Sequence, residues 1–331
     1  MSKAQNPPQS AHWARIEEAG FGFGIWLMYQ IYRFLGKWPF RAILYPVMVY
    51  FYLRRGSART ASHEYLQRVR AFGADVSASR WGVLQHFMAF GECLLDKVLS
   101  HTGRYTLANV AVTGREKIQE HLTHGQGVVL FTAHIGNLEV SRAIAQYRSV
   151  PITILVHTAN SVKFNQIMKK MNPSNHVNFI QVADFGAAQA IVLANKIAAG
   201  EVVVIAADRV PLSDDAHRMV SASFLGHRAN FPTGAYVLAH LLQSPVFTVF
   251  CALVNGRYEL CYQPFSDKLT LPRRDRESAM AAYAQQFSSL LEEQCVRAPL
   301  QWFNFFDFWR NNYPTFTRRG TSSPRPNPAQ A

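Results

Sequence analysis

After Gly103, the chain alternates short runs of apolar residues with longer segments in which apolar residues recur at helical spacing. The apolar runs are continuous, as expected for strands that are covered on both faces. The predicted strands are 107 to 112, 127 to 133, 151 to 156, 177 to 182, 201 to 206, 245 to 253 and 257 to 262. The predicted helices are 58 to 72, 80 to 99, 114 to 123, 138 to 148, 161 to 171, 184 to 198, 233 to 243 and 275 to 296. This pattern predicts an α/β fold with a mixed, largely parallel sheet flanked by helices, in which ligands bind beyond the carboxyl ends of strands.

The segment 21 to 56 differs from the rest in its density of aromatic side chains beside Arg and Lys. Neither of its two apolar runs reaches the roughly 18 to 20 residues that a spanning helix needs. Amphipathic rings and basic side chains suit the headgroup zone of a membrane. We therefore expect a membrane-attached helical segment, which Pro39 and Pro46 would break into pieces. The alternative is an ordinary buried helical pair.

Three further units complete the predicted organisation. A polar leader covers 1 to 20, the main domain covers 57 to 312, and a basic, proline-rich tail covers 313 to 331. The leader shows no signal peptide, so we expect the main domain on the cytoplasmic side. Four cysteines without CxxC spacing favour a reducing compartment and give no metal-finger pattern.

The chain carries 34 Lys and Arg against 21 Asp and Glu, a net charge of +13. This excess indicates an anionic partner: nucleic acid, anionic lipid or an acidic carrier protein. RNA binding would place exposed aromatic residues among basic residues on the strands. The predicted strands are continuously apolar, so we expect no nucleic-acid partner.

The most informative stretch is 127 to 140, in which a predicted strand is followed by His134, Gly136, Asn137 and Glu139. On one continuous helix, Glu139 would lie about 140° around the axis from His134. The two can therefore meet only if His134 precedes the helix. Asn137 is a suitable N-cap, which puts Glu139 in the first turn. Glu139 could then orient His134 as a general base.

The same spacing occurs at His12 and Glu17, but no strand precedes that pair. About one such match is expected by chance, so the strand, turn and helix around His134 are what favour catalysis. The alternative is a histidine that only caps a helix at the sheet edge. A second histidine, His86, lies in a helix with an apolar face and is interpreted as a packed residue.

Other charged or helix-opening residues follow predicted strands. Asp208 and Arg209 follow the strand 201 to 206. Arg209 could bind a phosphate or stabilise an oxyanion, with Asp208 orienting it, or the two could form a structural ion pair. Pro232, Thr233 and Gly234 open a helix whose free N–H groups suit an anion. A set of lysines follows the third strand, where a solvated helix face is the plainer interpretation; these are Lys163, Lys169 and Lys170.

Several catalytic motifs are absent from the sequence: GxSxG, the Walker loop, HExxH, and GxGxxG at a strand-to-helix turn. A base without a neighbouring nucleophile suggests that the substrate supplies the nucleophile as a hydroxyl or an amine.

Thr132-Ala-His134-Ile-Gly136-Asn137-Leu-Glu139 resembles the His-x4-acid block of the late lipid A acyltransferases, within the wider glycerolipid acyltransferase superfamily. The resemblance continues through 202 to 209, 231 to 239 and 299 to 304, and covers roughly 21 to 310. It implies an acyltransferase domain that moves an acyl group from acyl carrier protein, or acyl-CoA, to a lipid or glycolipid hydroxyl. It also implies that the enzyme acts at the cytoplasmic face of the inner membrane. The reaction would use no metal and no cofactor and would form no acyl-enzyme.

The resemblance implies that His134 is the base and that Glu139 orients it. It implies that the acceptor or the oxyanion is held by Asp208 and Arg209, and we group Asn137, Thr233, Gly234, Lys169 and Lys170 with them as substrate-binding residues. This chain has lysines where the family usually carries an arginine, and a lysine provides no bidentate fork. The alternatives left open are a lysophospholipid or glycerol-phosphate acceptor, and a basic membrane-binding protein without catalysis.

Overall fold

The computed structural model describes residues 30–34, 36–100, 104–145, 150–156, 177–181, 186–210 and 218–309. The helices in these residues are α1 Lys37–Arg54, α2 Gly56–Ala71, α3 Arg80–Leu99, α4 Arg115–Thr123, α5 Leu138–Ala145, α6 Ala187–Ala198, α7 Thr233–Leu242 and α8 Arg276–Arg297. The strands are β1 Val110–Thr113, β2 Val128–Thr132, β3 Ile152–Val156, β4 Val177–Gln181, β5 Val202–Ala206, β6 Met219–Phe224, β7 His227–Pro232, β8 Val246–Val254 and β9 Arg257–Ser266.

The main sheet has seven strands in the order β1-β9-β8-β2-β5-β3-β4. Strands β8, β2, β5, β3 and β4 are parallel to one another. Strand β9 turns back antiparallel to β8, and β1 pairs parallel with β9. The prediction of a mixed, largely parallel sheet flanked by helices is confirmed.

Helices cover both faces of this sheet, which explains why its strands are continuously apolar. Alternate residues of β2 belong to different cores: Phe131 packs with the core beneath α7 and α8, and Leu130 packs with the core beneath α4 and α5. All five residues of β2 are therefore buried. The observed strands of this sheet overlap all seven predicted ones.

Two elements of the fold were not predicted. Strands β6 and β7 form a separate antiparallel hairpin, closed by Leu225 and Gly226. Both turn residues have positive φ, 49° and 77°. Such turns usually carry Asn or Asp before Gly, and Leu at the first position removes that signal. The predicted helix at 161 to 171 lies outside the described residues.

The position of the break in the N-terminal helical segment was wrongly predicted. Helix α1 runs through Pro46 without interruption, and Pro39 lies in its first turn, where an N–H has no helical partner. Residues 30–34 are also helical, and the chain departs from the helical conformation at Gly36, which has φ 85°. Pro46 is on the exposed side, so the carbonyl that it leaves unbonded can reach outward. Leu44 and Met48 hold the opposite side of the helix against Gly91 of α3.

Candidate active site

His134 lies two residues beyond β2, at the carboxyl edge of the parallel strands. The strand and Ala133 are buried, whereas the imidazole of His134 is 38% exposed. His134 is therefore the first side chain along β2 that a substrate can reach. The predicted position of His134 at the end of a strand is confirmed.

The turn after His134 is fixed by backbone contacts that require glycine. Gly136 has φ 61°, and a Cβ at this position would lie 1.9 Å from the carbonyl oxygen of Cys251. The backbone N–H of Asn137 donates to that same oxygen at 2.7 Å. A larger residue at Gly136 would move the turn away from β8, and with it His134.

Asn137 is the N-cap of α5, as predicted. Its Oδ1 accepts a hydrogen bond from the backbone N–H of Glu139 at 3.2 Å, the N-cap pattern. Glu139 lies in the first turn of the helix and is 8% exposed. Burial, with smaller contributions from charges that include Glu139, raises the pKa of the Cys93 thiol to about 12. The charge of Glu139 thus adds to the burial that disfavours the Cys93 thiolate.

The carboxylate on the imidazole nitrogen Nδ1 belongs to Asp208. His134 Nδ1 lies 2.7 Å from Asp208 Oδ1, and the backbone N–H of His134 donates to Asp208 Oδ2 at 2.9 Å. The strand register explains the pairing. Thr132 of β2 is aligned with Ala206 of β5, so the residues two positions further on arrive side by side.

This contact corrects the predicted geometry of the candidate base. We expected Glu139 to orient the imidazole and Asp208 to bind the acceptor or an oxyanion. Asp208 holds Nδ1 because β2 and β5 are neighbours in the sheet, whereas Glu139 lies on α5 beyond the glycine turn. A catalytic role for Glu139 stays a prediction.

The electrostatics of the pair favour an ionised aspartate and a neutral histidine. Burial alone would raise the pKa of Asp208, but His134 and Arg209 outweigh it and lower the pKa to about 2. Partial burial of the ring and the charge of Arg209 lower the pKa of His134, although Asp208 opposes them. A carboxylate only accepts hydrogen bonds, so Nδ1 carries the proton and Nε2 keeps its lone pair.

Arg209 lies next to this pair, on the segment that follows β5. Its Nη2 donates to the carbonyl oxygen of Phe303 at 2.9 Å, and its guanidinium lies 5.7 Å from the ring centre of Phe306. Burial lowers the pKa of Arg209 to about 10, against the opposing charge of Asp208. The group is thus a cation at neutral pH.

Thr233 and Gly234 were also predicted to belong to the site. Thr233 and Gly234 open α7 directly after Pro232, so the predicted helix start is confirmed. In the described part of the chain, the hydrogen bonds of His134 and Asp208 connect these two residues to each other and to residues 302 and 303. Lys169 and Lys170 lie outside the described residues.

Sequence reasoning assigned no role to Trp302. Its indole N–H donates to Asp208 Oδ2 at 3.3 Å. The only signal available was that 299 to 304 forms part of the resemblance to the acyltransferases.

An apolar cavity of about 390 Å³ lies on the face of the sheet that α4 and α5 cover. Its walls are mostly aliphatic and come from both helices and from six strands of the main sheet; they include Ile118, Leu130, Leu138, Ile154, Val204 and Val249. Leu138 directly follows the N-cap Asn137, and Ser141 lines the cavity one helical turn later. Helix α5, which follows the candidate base after the glycine turn, therefore also forms a wall of the cavity.

Comparison of the sequence with known protein families identifies the class of protein to which this fold and site belong. A family model described as bacterial lipid A biosynthesis acyltransferase matches residues 89–311, about two thirds of the chain. No curated protein matches the chain at a significant level. The chain belongs to the bacterial lipid A biosynthesis acyltransferase family. It is an acyltransferase, and its family indicates transfer to a lipid acceptor.

Proposed function

We propose that this enzyme transfers a fatty acyl group from a thioester, acyl carrier protein or acyl-CoA, to a hydroxyl group of a lipid or glycolipid acceptor. The observation that carries the proposal is the pairing of a partly exposed imidazole with a buried carboxylate at the carboxyl edge of the sheet. Asp208 fixes the protonated Nδ1, which leaves Nε2 as the base. This is the arrangement by which a carboxylate orients a histidine in acyl transfer.

In the proposed reaction, Nε2 of His134 takes the proton of the acceptor hydroxyl as its oxygen forms a bond to the thioester carbonyl. The C–S bond then breaks, and the leaving sulfur receives the proton from the imidazolium. A thioester is already activated, so a general-base contribution of about 10²- to 10⁴-fold combined with orientation suffices. The acyl group passes directly to the acceptor, without an acyl-enzyme, a metal or another cofactor.

Arg209 is the cation best supported as a partner of the developing negative charge. Its charge acts on His134 and lowers that pKa. A fixed cation beside the base favours a transition state with an oxyanion. The other proposed substrate-binding residues are Asn137, Thr233, Gly234, Lys169 and Lys170, and Glu139 is proposed as a further catalytic residue.

The experiment supplies the purified enzyme with labelled acyl carrier protein and, separately, labelled acyl-CoA. The acceptors offered are a lipid A precursor, a lysophospholipid and glycerol phosphate, and mass analysis identifies the product. An ester on a glycolipid hydroxyl supports the proposal. Transfer to the lysophospholipid or glycerol phosphate alone would support the alternative acceptor, and failure of both donors with all acceptors would contradict the proposal.

We propose that the apolar cavity holds the acyl chain that is transferred. Its walls are aliphatic, and α5 connects them to the candidate base. Burying a methylene group stabilises a bound chain by about 0.8 kcal/mol. The volume of the cavity would then set the longest chain that binds well.

Val204→Phe should shorten the preferred acyl chain, because Val204 lines the cavity from β5. A chain two methylenes too long would lose about 1.6 kcal/mol of burial, so its rate relative to the shorter chain should fall about tenfold. The measurement is competition between donors of different chain length. Ile191→Phe, at a position that is 62% exposed, is the matched control. An unchanged chain-length preference in Val204→Phe would place the chain elsewhere.

We further propose that α1 attaches the enzyme to the cytoplasmic face of the inner membrane. Among the described helices, none is both long and apolar enough to cross a membrane. One side of α1 packs on α3, and the other side exposes large apolar groups: Trp38, Ile43, Tyr45, Val47, Tyr50, Phe51 and Leu53. Arg54 and Arg55 follow on its exposed end. Such a surface suits an anionic bilayer, and the net charge of +13 also suits an acidic carrier protein.

The triple variant Trp38→Glu, Tyr50→Glu and Leu53→Glu should release the protein from membranes. Each change puts a carboxylate where the native residue is more than half exposed, so the packing on α3 is kept. The measurement is cosedimentation with phosphatidylglycerol vesicles, where we expect at least a tenfold loss of binding from the lost apolar contact and added repulsion. Ile191→Glu with Leu241→Glu, on exposed positions of α6 and α7, is the control. Equal binding of both variants would show that another surface makes the contact.

A further inference from the structure

A short C-terminal segment, Gln301 to Phe303, pairs with the turn that carries the candidate base. The backbone N–H of Gly136 donates to the Gln301 carbonyl oxygen at 2.9 Å, and the N–H of Phe303 donates to the His134 carbonyl oxygen at 3.0 Å. Ile135 and Trp302 form an antiparallel bridge between these bonds. The backbone on each side of His134 is thus held by residues more than 160 positions away in the sequence.

The same segment holds the other member of the pair through a side chain. The indole N–H of Trp302 donates to Asp208 Oδ2, the oxygen that also accepts the backbone N–H of His134. Trp302 is fully buried, and a buried indole N–H needs such a partner. One residue therefore contacts the carboxylate by its side chain while its backbone pairs with the histidine turn.

Trp302 is itself fixed by a buried histidine. His86 Nε2 lies 3.1 Å from the Trp302 carbonyl oxygen, and His86 Nδ1 lies 2.8 Å from Ser62 Oγ. A carbonyl oxygen only accepts, so Nε2 carries the proton and Nδ1 accepts from the Ser62 hydroxyl. Burial lowers the pKa of His86 to about 4, although its bond to Trp302 opposes this. His86 is therefore neutral at neutral pH and makes both hydrogen bonds.

We propose that Trp302 is a positioning residue for His134 and Asp208, and that His86 and Ser62 hold Trp302 in place from α3 and α2. This proposal rests on the proposed function of His134 as the base. By donating to Oδ2, the indole of Trp302 fixes the orientation of the Asp208 carboxylate, so that Oδ1 faces Nδ1 of the imidazole. Hydrogen bonds thus link five residues in series: Ser62, His86, Trp302, Asp208 and His134. Within Trp302, the series enters at the backbone carbonyl and leaves from the indole N–H.

Packing alone is the competing explanation for Trp302. Its ring centre lies 4.9 Å from that of Tyr65 and 5.0 Å from that of Phe308, within a cluster of aromatic rings. Trp302→Phe separates the two explanations, because phenylalanine keeps an aromatic ring and lacks the N–H. A role in packing alone would lower thermal stability and leave the titration of His134 unchanged.

Trp302→Phe should lower kcat roughly tenfold, the scale expected for one hydrogen bond to a charged group, with KM little changed. Without the indole donor, the Asp208 carboxylate accepts more strongly from Nδ1, and the pKa of His134 should rise. The acid limb of the pH–rate profile should therefore move to higher pH. Trp81→Phe, at a position that is 64% exposed on α3, is the matched control. Wild-type kcat and an unshifted acid limb in Trp302→Phe would overturn the proposal.

A second pair of variants decides the question if Trp302→Phe does not fold. His86→Gln keeps a donor for the Trp302 carbonyl, whereas His86→Leu removes it. We expect His86→Leu to lower kcat and shift the acid limb, and His86→Gln to restore much of both. Equal effects of the two substitutions on kcat and on the acid limb would overturn the proposal.

NMR titration of histidine-labelled enzyme separates failure of this proposal from failure of the proposed function. The His134 signal is assigned by its loss in His134→Ala. A shifted His134 pKa in Trp302→Phe supports positioning even where no acceptor has been found. An unshifted pKa overturns positioning, and it leaves the proposed function standing if His134→Ala abolishes transfer.

Discussion

Replacing His134 by alanine should lower the rate of acyl transfer by about 10²- to 10⁴-fold, the usual contribution of a general base. Alanine removes Nε2, the proton acceptor of the imidazole that Asp208 orients at the edge of the sheet. Binding of the acyl donor should change little, because the imidazole is not part of the apolar cavity. The measurement is the rate of label transfer at saturating donor and acceptor.

His124→Ala is the matched control, since His124 is an exposed histidine at the end of α4. The control should transfer at the wild-type rate. Wild-type transfer by His134→Ala would exclude His134 from the mechanism. It would support the alternative that this histidine only caps a helix at the sheet edge. Thermal unfolding of both variants checks that any loss is chemical, because the His134–Asp208 contact also contributes to stability.

Asp208→Asn should produce a loss of similar size through a different route. Asparagine has no negative charge to hold the protonated Nδ1, so the wrong tautomer becomes accessible, a change that can cost up to about 10⁴-fold in this arrangement. The Asp208 charge also raises the pKa of His134 against burial and Arg209. In Asp208→Asn that pKa should fall further, and the acid limb of the residual activity should move to lower pH.

A change in the pKa of His134 distinguishes the role of Asp208 from that of Glu139. Glu139→Gln should also reduce transfer if Glu139 is catalytic, yet the Nδ1 hydrogen bond to Asp208 is kept. We therefore expect the His134 titration to stay close to wild type in Glu139→Gln and to change in Asp208→Asn. The opposite pattern, read by NMR titration, would show that Glu139 is the carboxylate that controls the imidazole.

Local chain signals were sufficient to locate most elements and the first residues of the site. Continuous apolar runs predicted the strands of the main sheet, and the central strands β2, β5 and β8 owe this pattern to packing against two cores. Gly136 and Asn137 marked the turn and the N-cap, since both act on the residues next to them. These signals are local, because they depend on side-chain periodicity and on backbone conformations within a few residues.

Contacts between distant residues required the tertiary structure. The sequence offered Glu139 as the partner of His134 because it is close in the chain, whereas the fold brings in Asp208 from 74 positions away. That pairing depends on which strands are neighbours, and the strand order does not follow the chain order. The β6–β7 hairpin was missed for a different reason: its turn carries Leu225 at positive φ, a conformation that the sequence does not signal.

The residues alone were enough to infer the α/β class, the strand that precedes His134, and the family resemblance that the family match confirms. The tertiary structure alone decided which carboxylate meets the imidazole, and it brought Trp302 and His86 behind that carboxylate. The physical reason is that propensity and periodicity act over a few residues. The geometry of a site is set by strand register and by packing between elements far apart in the chain.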